Sequence, residues 1–237
     1  MKALILNSGT GSRMGHMTQS ACKCMAPLRE GVTVLDAQLD RLLGAGIRDI
    51  CMTTGPFAKE LEAYVKQRYP QARVLFVHNP SYAQTNYIYS IHLARQHLEG
   101  DLLMLHGDLV FDARVLHGLL ALPHSAMVVH STRPLPDKDF KAVLTKGKIT
   151  KIGVEFFENA VAAQPLYKLR AQDWALWLEE IGRFCARSET GVYAENAFNR
   201  ISTRIALSPF DAKGLFCGEI DTLEDLDHVR AIYDTIR

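Results

Sequence analysis

Two glycines separated by one residue, Gly9 and Gly11, follow closely on the short apolar run Lys2–Asn7. Lacking Cβ atoms, they let backbone N–H groups come within hydrogen-bond distance of phosphate oxygens. Arg13 can grip an anion through its planar fork, and Lys23 adds a compact positive charge further on. A tight turn with no ligand would use the same two glycines, so the fragment alone leaves both uses open. No G-x-x-x-x-G-K-[ST] string occurs, and the third glycine of a dinucleotide fingerprint would fall at Met14. Phosphoryl chemistry concentrates negative charge and calls for Mg²⁺ held by a few carboxylates. Asp108, after the apolar run Leu102–His106, and Asp221, in Gly218-Glu219-Ile220-Asp221-Thr222, are the candidate metal ligands. Asp221 or Thr222 can equally cap a C-terminal helix, and Asp112 stands where an N-cap is expected.

From Lys2 to Leu28 the chain resembles the signature L-A-A-G-x-G-x-R-[ML], then Thr, then P-K-x-[ML], of nucleotidyltransferases that activate sugar phosphates and choline phosphate. Here it reads Leu6-Asn7-Ser8-Gly9-Thr10-Gly11-Ser12-Arg13-Met14, then Thr18, then Cys22-Lys23-Cys24-Met25. Asn7-Ser8 and Cys22 depart from it; both glycines, the arginine and the lysine are kept. The resemblance implies that Gly9, Gly11 and Ser12 cradle phosphates, that Ser8 lies near the nucleotide, and that Arg13 and Lys23 stabilise the transferred phosphoryl group. Glu219-Ile220-Asp221-Thr222 resembles the E-I-D-[ST] motif of the choline-phosphate cytidylyltransferase type, which implies Asp221 as a second metal ligand beside Asp108. Thr85-Asn86-Tyr87-Ile88-Tyr89-Ser90 is a near match to that subgroup's Asn-rich stretch. Thr85, Asn86 and Ser90 would then read a pyrimidine edge, or Asn86 and Ser90 would cap a helix.

The implied reaction transfers CMP from CTP to a small phosphate or phosphonate and releases pyrophosphate. A choline acceptor needs an aromatic cage, because a quaternary cation has no N–H to donate. Where the family carries aromatic–acidic pairs, this chain has Tyr167-Lys168 and Ala194-Glu195. Glu195 with Lys168 or Lys141 suits an amine and a phosphonate, which favours 2-aminoethylphosphonate over phosphocholine; a solvated surface charge is the competing use of Lys141 and Lys168. Rival readings are a sugar-1-phosphate nucleotidyltransferase and a catalytically silent nucleotide-binding module.

Positioning these groups requires strands that end at one edge. Apolar runs alternate with helix-period stretches: strand Lys2–Asn7, a helix closing at Gly44-Ala45-Gly46, strand Ile50–Thr54, helix Lys59–Tyr69, strand Val74–Val77, helix Ile88–His97 and strand Leu102–His106. This predicts a doubly wound, mostly parallel α/β sheet, Rossmann-like by the resemblance, with ligands at the C-terminal ends of the strands. After about residue 125 the short runs Met127–His130, Ala142–Leu144 and Ile149–Ile152 predict an inserted antiparallel ribbon. The expectation is a single domain over 1–237: a nucleotide-binding part at about 1–125, an acceptor-binding part at about 126–210, and a metal-ligand motif with a helix at 211–237. Trp174 and Trp177, three apart on a helix, are expected in the core.

Lys plus Arg (27) nearly balance Asp plus Glu (26), so no global field recruits nucleic acid or an anionic membrane. No run is long enough for a membrane helix, and the N-terminal apolar run is too short for a secretory signal. Five cysteines without metal spacing, and nine histidines without one, are expected as reduced thiols and as structural or surface residues of a cytoplasmic protein. A homodimer is compatible with the sequence, although no apolar stripe marks one.

Overall fold

The computed structural model describes residues 1–11, Met14 and 21–236. Its first half runs β1 (Lys2–Asn7), β2 (Pro27–Arg29), β3 (Val32–Thr33), α1 (Val34–Gly44), β4 (Asp49–Thr54), α2 (Ala58–Arg68), β5 (Arg73–His78), α3 (Tyr87–Ala94), β6 (Leu102–His106), β7 (Leu109–Phe111) and α4 (Ala113–Ala121). The second half continues with β8 (Ala126–His130), β9 (Lys141–Thr145), β10 (Lys148–Gly153), β11 (Ala160–Leu169), α5 (Ala171–Ala186), α6 (Ala194–Ile201), β12 (Ser208–Asp211), β13 (Cys217–Glu219) and α7 (Leu223–Ile232).

Strands β5-β4-β1-β6 lie side by side and parallel. Ala3, Leu4 and Ile5 of β1 are fully buried because helices cover both faces of the sheet. Leu4 packs with the α3, α5 and α6 side chains, including Trp174 and Trp177, whereas Ala3 and Ile5 pack with α1, α2 and α4. The two indoles are thus core, and their N–H groups donate to Leu98 O and Ala194 O, both buried. Helix α1 starts at a capping box between Thr33 and Asp36, and the chain leaves it through Gly46 at φ +80°.

Strand β11 extends the sheet antiparallel to β6 and was not legible in the sequence. Pro165 lies within it, and a proline speaks against a central strand because it cannot donate to a ladder. The proline falls where the β11–β8 register shifts, between Ala163 and Tyr167. Below that break Leu166–Leu169 pair with β6, and above it Ala160–Ala162 pair with β9. Of the three runs expected as one ribbon, only Ala142–Leu144 and Ile149–Ile152 form it, as β9 and β10, whereas Met127–His130 pairs with β11 and β12 in the main sheet; the β9–β10 ribbon continues past the C-terminal end of β6 and overhangs the sheet edge. A small ladder of β7 with β13 brings Glu219 and the following residues to the same edge. Among the described residues no helix is long and apolar enough to cross a membrane. All five cysteines are free thiols.

Candidate active site

The C-terminal ends of β1 and β6, the Gly9–Gly11 loop, the start of α3, the ribbon and the β13–α7 junction enclose a cleft of about 380 Å³, within the roughly 300–1,000 Å³ usual for small-molecule sites. At one end Gly9 and Gly11 line it, Gly11 with φ +64°. No atom of the described residues lies within 4 Å of the position a Cβ would take on Gly9, so the loop presents bare backbone toward them. Ser12 and Arg13 lie outside the described residues.

At the floor, Lys23 Nζ donates to Asp108 Oδ2 at 2.6 Å and to Asp221 Oδ1 at 2.5 Å. Three distant stretches of sequence meet at this point. Lys23 stands on a short 3-10 turn, Lys23–Met25, and Asp108 on the turn after β6. Thr222, not Asp221, caps α7 through a capping box with Asp225, and Asp221 lines the cleft. Asp112, by contrast, caps α4 and pairs with Arg114. Burial alone would lower the Lys23 pKa, yet the two carboxylates outweigh it and hold the ammonium above its usual value. Burial would raise Asp108, but the Lys23 charge holds it below the ordinary aspartate value. Asp108 Oδ1 is buried with no hydrogen-bond partner among the described residues, an oxygen available to a hard cation.

The Asp108 turn is tightly held. Gln38, 1% exposed, donates from Nε2 to His106 O at 2.9 Å and to Leu109 O at 2.7 Å, bracketing Gly107-Asp108. The backbone N–H of Gly107 donates to Leu6 O at 3.0 Å.

Beside Asp108, His106 Nδ1 lies 2.9 Å from Glu219 Oε1. Burial works against a charged imidazole, but the hydrogen bond and charge of Glu219 prevail and push His106 up to about 9. Burial and the charge of Asp108 push the Glu219 carboxyl up. His106, Asp108 and Glu219 each offer a ligand atom within 4.8 Å of the others. Around them stand Tyr87, Phe140 and Tyr193. Tyr87 meets His106 edge-on at 4.8 Å between ring centroids, and Phe140 meets Tyr193 at 5.2 Å. All four rings line the cleft.

The remaining expected site residues divide. Thr85 and Asn86 line the cleft, while Asn86 Oδ1 also accepts from Tyr87 N at 2.7 Å as the cap of α3. Ser8 lines it too, and its hydroxyl lies 2.7 Å from that of Ser90, which is fully buried behind it and also accepts from Asn79 Nδ2. Ser90 thus supports the wall rather than facing a ligand. Glu195, Lys168 and Lys141 do not line the cleft. Glu195 is 1% exposed and accepts from Tyr87 Oη and from Tyr167 Oη, so it anchors a cleft ring from beneath. Alternation along β11 sends Lys168 to the opposite side from Tyr167, where it donates to the α4-terminal carbonyls of Leu120 and Leu122. Lys141 is fully buried; it donates to Pro136 O at 2.5 Å and to Asp139 O at 3.2 Å, and its ammonium sits over the Phe157 ring. It braces the segment carrying Lys138, Asp139 and Phe140, which do line the cleft.

Sequence reasoning missed His106, Glu219, Gln38 and the ring set. Glu219 stands inside the quoted Glu219-Ile220-Asp221 string and Tyr193 directly precedes Ala194-Glu195, so both lay beside residues already singled out.

A family model described as the MobA-like NTP transferase domain matches residues 3–172. The chain is 32% identical over 135 residues to the CMP-5'-(3-aminopropyl)phosphonate synthase of Streptomyces rubellomurinus, covering 57% of this chain and 21% of that one. It is 34% identical over 98 residues to the choline-phosphate cytidylyltransferase of Streptococcus pneumoniae, covering 41% of each. The matched stretches therefore span less than half the length of these curated relatives. The solved structure of CTP:phosphocholine cytidylyltransferase from Streptococcus pneumoniae shares the fold with a TM-score of 0.77 over 98% of both chains, at 20% identity. The inositol-1-phosphate CTP transferase from T. maritima does so with a TM-score of 0.81 over 99% of this chain and 95% of that one, at 18% identity. With the glycine loop, Lys23 and the post-β6 aspartate all inside or supporting one cleft, and the family model spanning most of the sheet, the chain belongs to the MobA-like NTP transferase family.

Proposed function

We propose that the protein transfers CMP from CTP to a small aminoalkyl phosphonate or phosphate and releases pyrophosphate. The observation that carries this reading is the meeting of Lys23, Asp108 and Asp221 in the cleft that the bare Gly9–Gly11 loop also lines. The loop N–H groups would hold the triphosphate, and Lys23 and Arg13 would neutralise charge developing on the transferred phosphoryl group. Thr85 and Asn86, at the start of α3, would meet the base. Asp108 and Asp221 would hold Mg²⁺, for which an all-oxygen donor set with Asp108 Oδ1, unpartnered among the described residues, is suited. A bound Mg²⁺ would supply Lewis-acid stabilisation of phosphate oxygens. The residues' own part is to align acceptor and donor and to stabilise charge, without a covalent enzyme intermediate.

For the acceptor, Tyr87, Phe140 and Tyr193 offer aromatic rings to a cationic head, and Glu219, held beside His106, offers it a carboxylate. A carboxylate beside the rings favours an amine with N–H groups, and hence 2-aminoethylphosphonate over phosphocholine. Glu195, Lys168 and Lys141 take supporting positions in this reading. The test is pyrophosphate release from CTP, ATP, UTP and GTP with Mg²⁺, against 2-aminoethylphosphonate, phosphocholine, phosphoethanolamine and glucose-1-phosphate. Release with CTP and an aminoalkyl acceptor is expected. Release with glucose-1-phosphate alone would turn the reading to a sugar nucleotidyltransferase, and CTP binding without release to a silent nucleotide-binding module.

A further inference from the structure

We infer that in the nucleotide-free protein Lys23 stands in for the divalent cation between Asp108 and Asp221, and that a metal ion settles there only after an anion on the glycine loop has drawn the ammonium away. The inference rests on the assignment of these two aspartates to metal binding. An ammonium 2.6 Å from one carboxylate oxygen and 2.5 Å from the other occupies the point at which a cation shared by both would sit. Mg²⁺ binds such oxygens at about 2.0–2.1 Å, so ammonium and ion exclude one another sterically as well as by charge. Neither carboxylate has much water to fall back on, since the side chains of Asp108 and Asp221 are 19% and 15% exposed. Two carboxylates brought to one ammonium in this way lie close enough together for a single bridging cation to serve both.

The lysine is equally placed to leave. Its backbone is fixed in the 3-10 turn, where Met25 N donates to Cys22 O at 2.9 Å and Ala26 N to Lys23 O at 3.0 Å. Motion is therefore confined to a flexible four-carbon stem. The Gly9–Gly11 loop lines the same cleft, so a triphosphate held there brings a compensating anion to the ammonium. The device gives the binding an order: nucleotide first or together with its metal, and no tight metal site before it.

Mn²⁺ serves as the probe, its binding followed by electron paramagnetic resonance and water-proton relaxation. Wild-type protein is expected to bind Mn²⁺ weakly alone and to give a strongly enhanced relaxation signal once CTP is added, a measurement that needs no variant. Lys23→Met, with Lys23→Gln as a second variant should the first fail to fold, is expected to bind Mn²⁺ without nucleotide at least about tenfold more tightly. Adding Asp108→Asn to either variant should abolish that gain. Equal Mn²⁺ affinities for wild type and both lysine variants, whether tight or weak, would overturn the stand-in role while leaving the metal site intact if Asp108→Asn still removes binding. Absence of Mn²⁺ binding in every protein, with and without CTP, would overturn the metal assignment itself.

Discussion

Replacing Gly107 by alanine tests how rigidly the Asp108 turn is seated. A Cβ there would come 1.6 Å from Asn7 Oδ1, 2.5 Å from Asn7 Cγ and 2.9 Å from Leu6 O. Asn7 is only 7% exposed and cannot swing freely aside, and Leu6 O is backbone of the central strand. The turn must shift instead, weakening the Gly107 N–H bond to Leu6 O. Overpacking of this kind costs about 1–3 kcal/mol, which in a chain of this size lowers the melting temperature by roughly 5 °C. Because Asp108 follows immediately, a displacement approaching an ångström should cost turnover about 10²-fold. Pyrophosphate release and a thermal melt measure the two effects together. Gly9→Ala is the control: its Cβ meets no atom of the described residues within 4 Å, so the melting temperature should hold while CTP affinity falls, the methyl group standing where phosphate would approach. A Gly107→Ala protein that melts like wild type and turns over within about threefold of it would refute the seating of Asp108 against β1.

Gln38→Leu removes the donor to His106 O and Leu109 O; stability should drop by about 2 kcal/mol, and steady-state kinetics should show kcat falling with little change in the KM for CTP. Asp36 accepts from Tyr64, Tyr69 and the Thr33 N–H and pairs with Arg68. Burial would raise its pKa, but these hydrogen bonds outweigh it and hold the carboxyl below its ordinary 3.8. Its stabilising contribution is thus complete above that ordinary value and is lost as pH falls through the lower folded one. Denaturant unfolding across the acid range should show wild type exceeding Asp36→Asn most clearly near neutrality, with the gap closing toward low pH. Glu195→Gln replaces one of the two oxygens that accept from Tyr87 and Tyr167 by an NH2 donor; the KM for the acceptor should rise more than that for CTP, because Tyr87 belongs to the ring set.

Much of the scaffold was local in origin and therefore legible. The expected strands of the parallel half occur as β1, β4, β5 and β6 within one residue or so at each end, since each is a short apolar run closed by a turn. The ends of α1 and α7 are written in Thr33–Asp36 and Thr222–Asp225, reciprocal bonds three residues apart that need no tertiary partner. Gly9, Gly11, Lys23, Asp108 and Asp221 could be singled out as candidates because phosphate chemistry restricts which groups serve, but it was the resemblance to the nucleotidyltransferase signatures that tipped Gly9, Gly11, Lys23 and Asp221 away from turn and cap. What the tertiary structure alone decided is direction and company. Whether Lys168 faced a ligand depended on the pleat of a strand that Pro165 conceals, and whether Glu195 was available depended on two tyrosines far away in sequence. Likewise, the ring set draws on α3, β6, the approach to β9 and the approach to α6, which only the sheet order gathers. Local sequence sets each residue's chemistry and backbone state; long-range pairing sets what it touches, and a charged side chain near a cleft becomes ligand, brace or cap according to that contact.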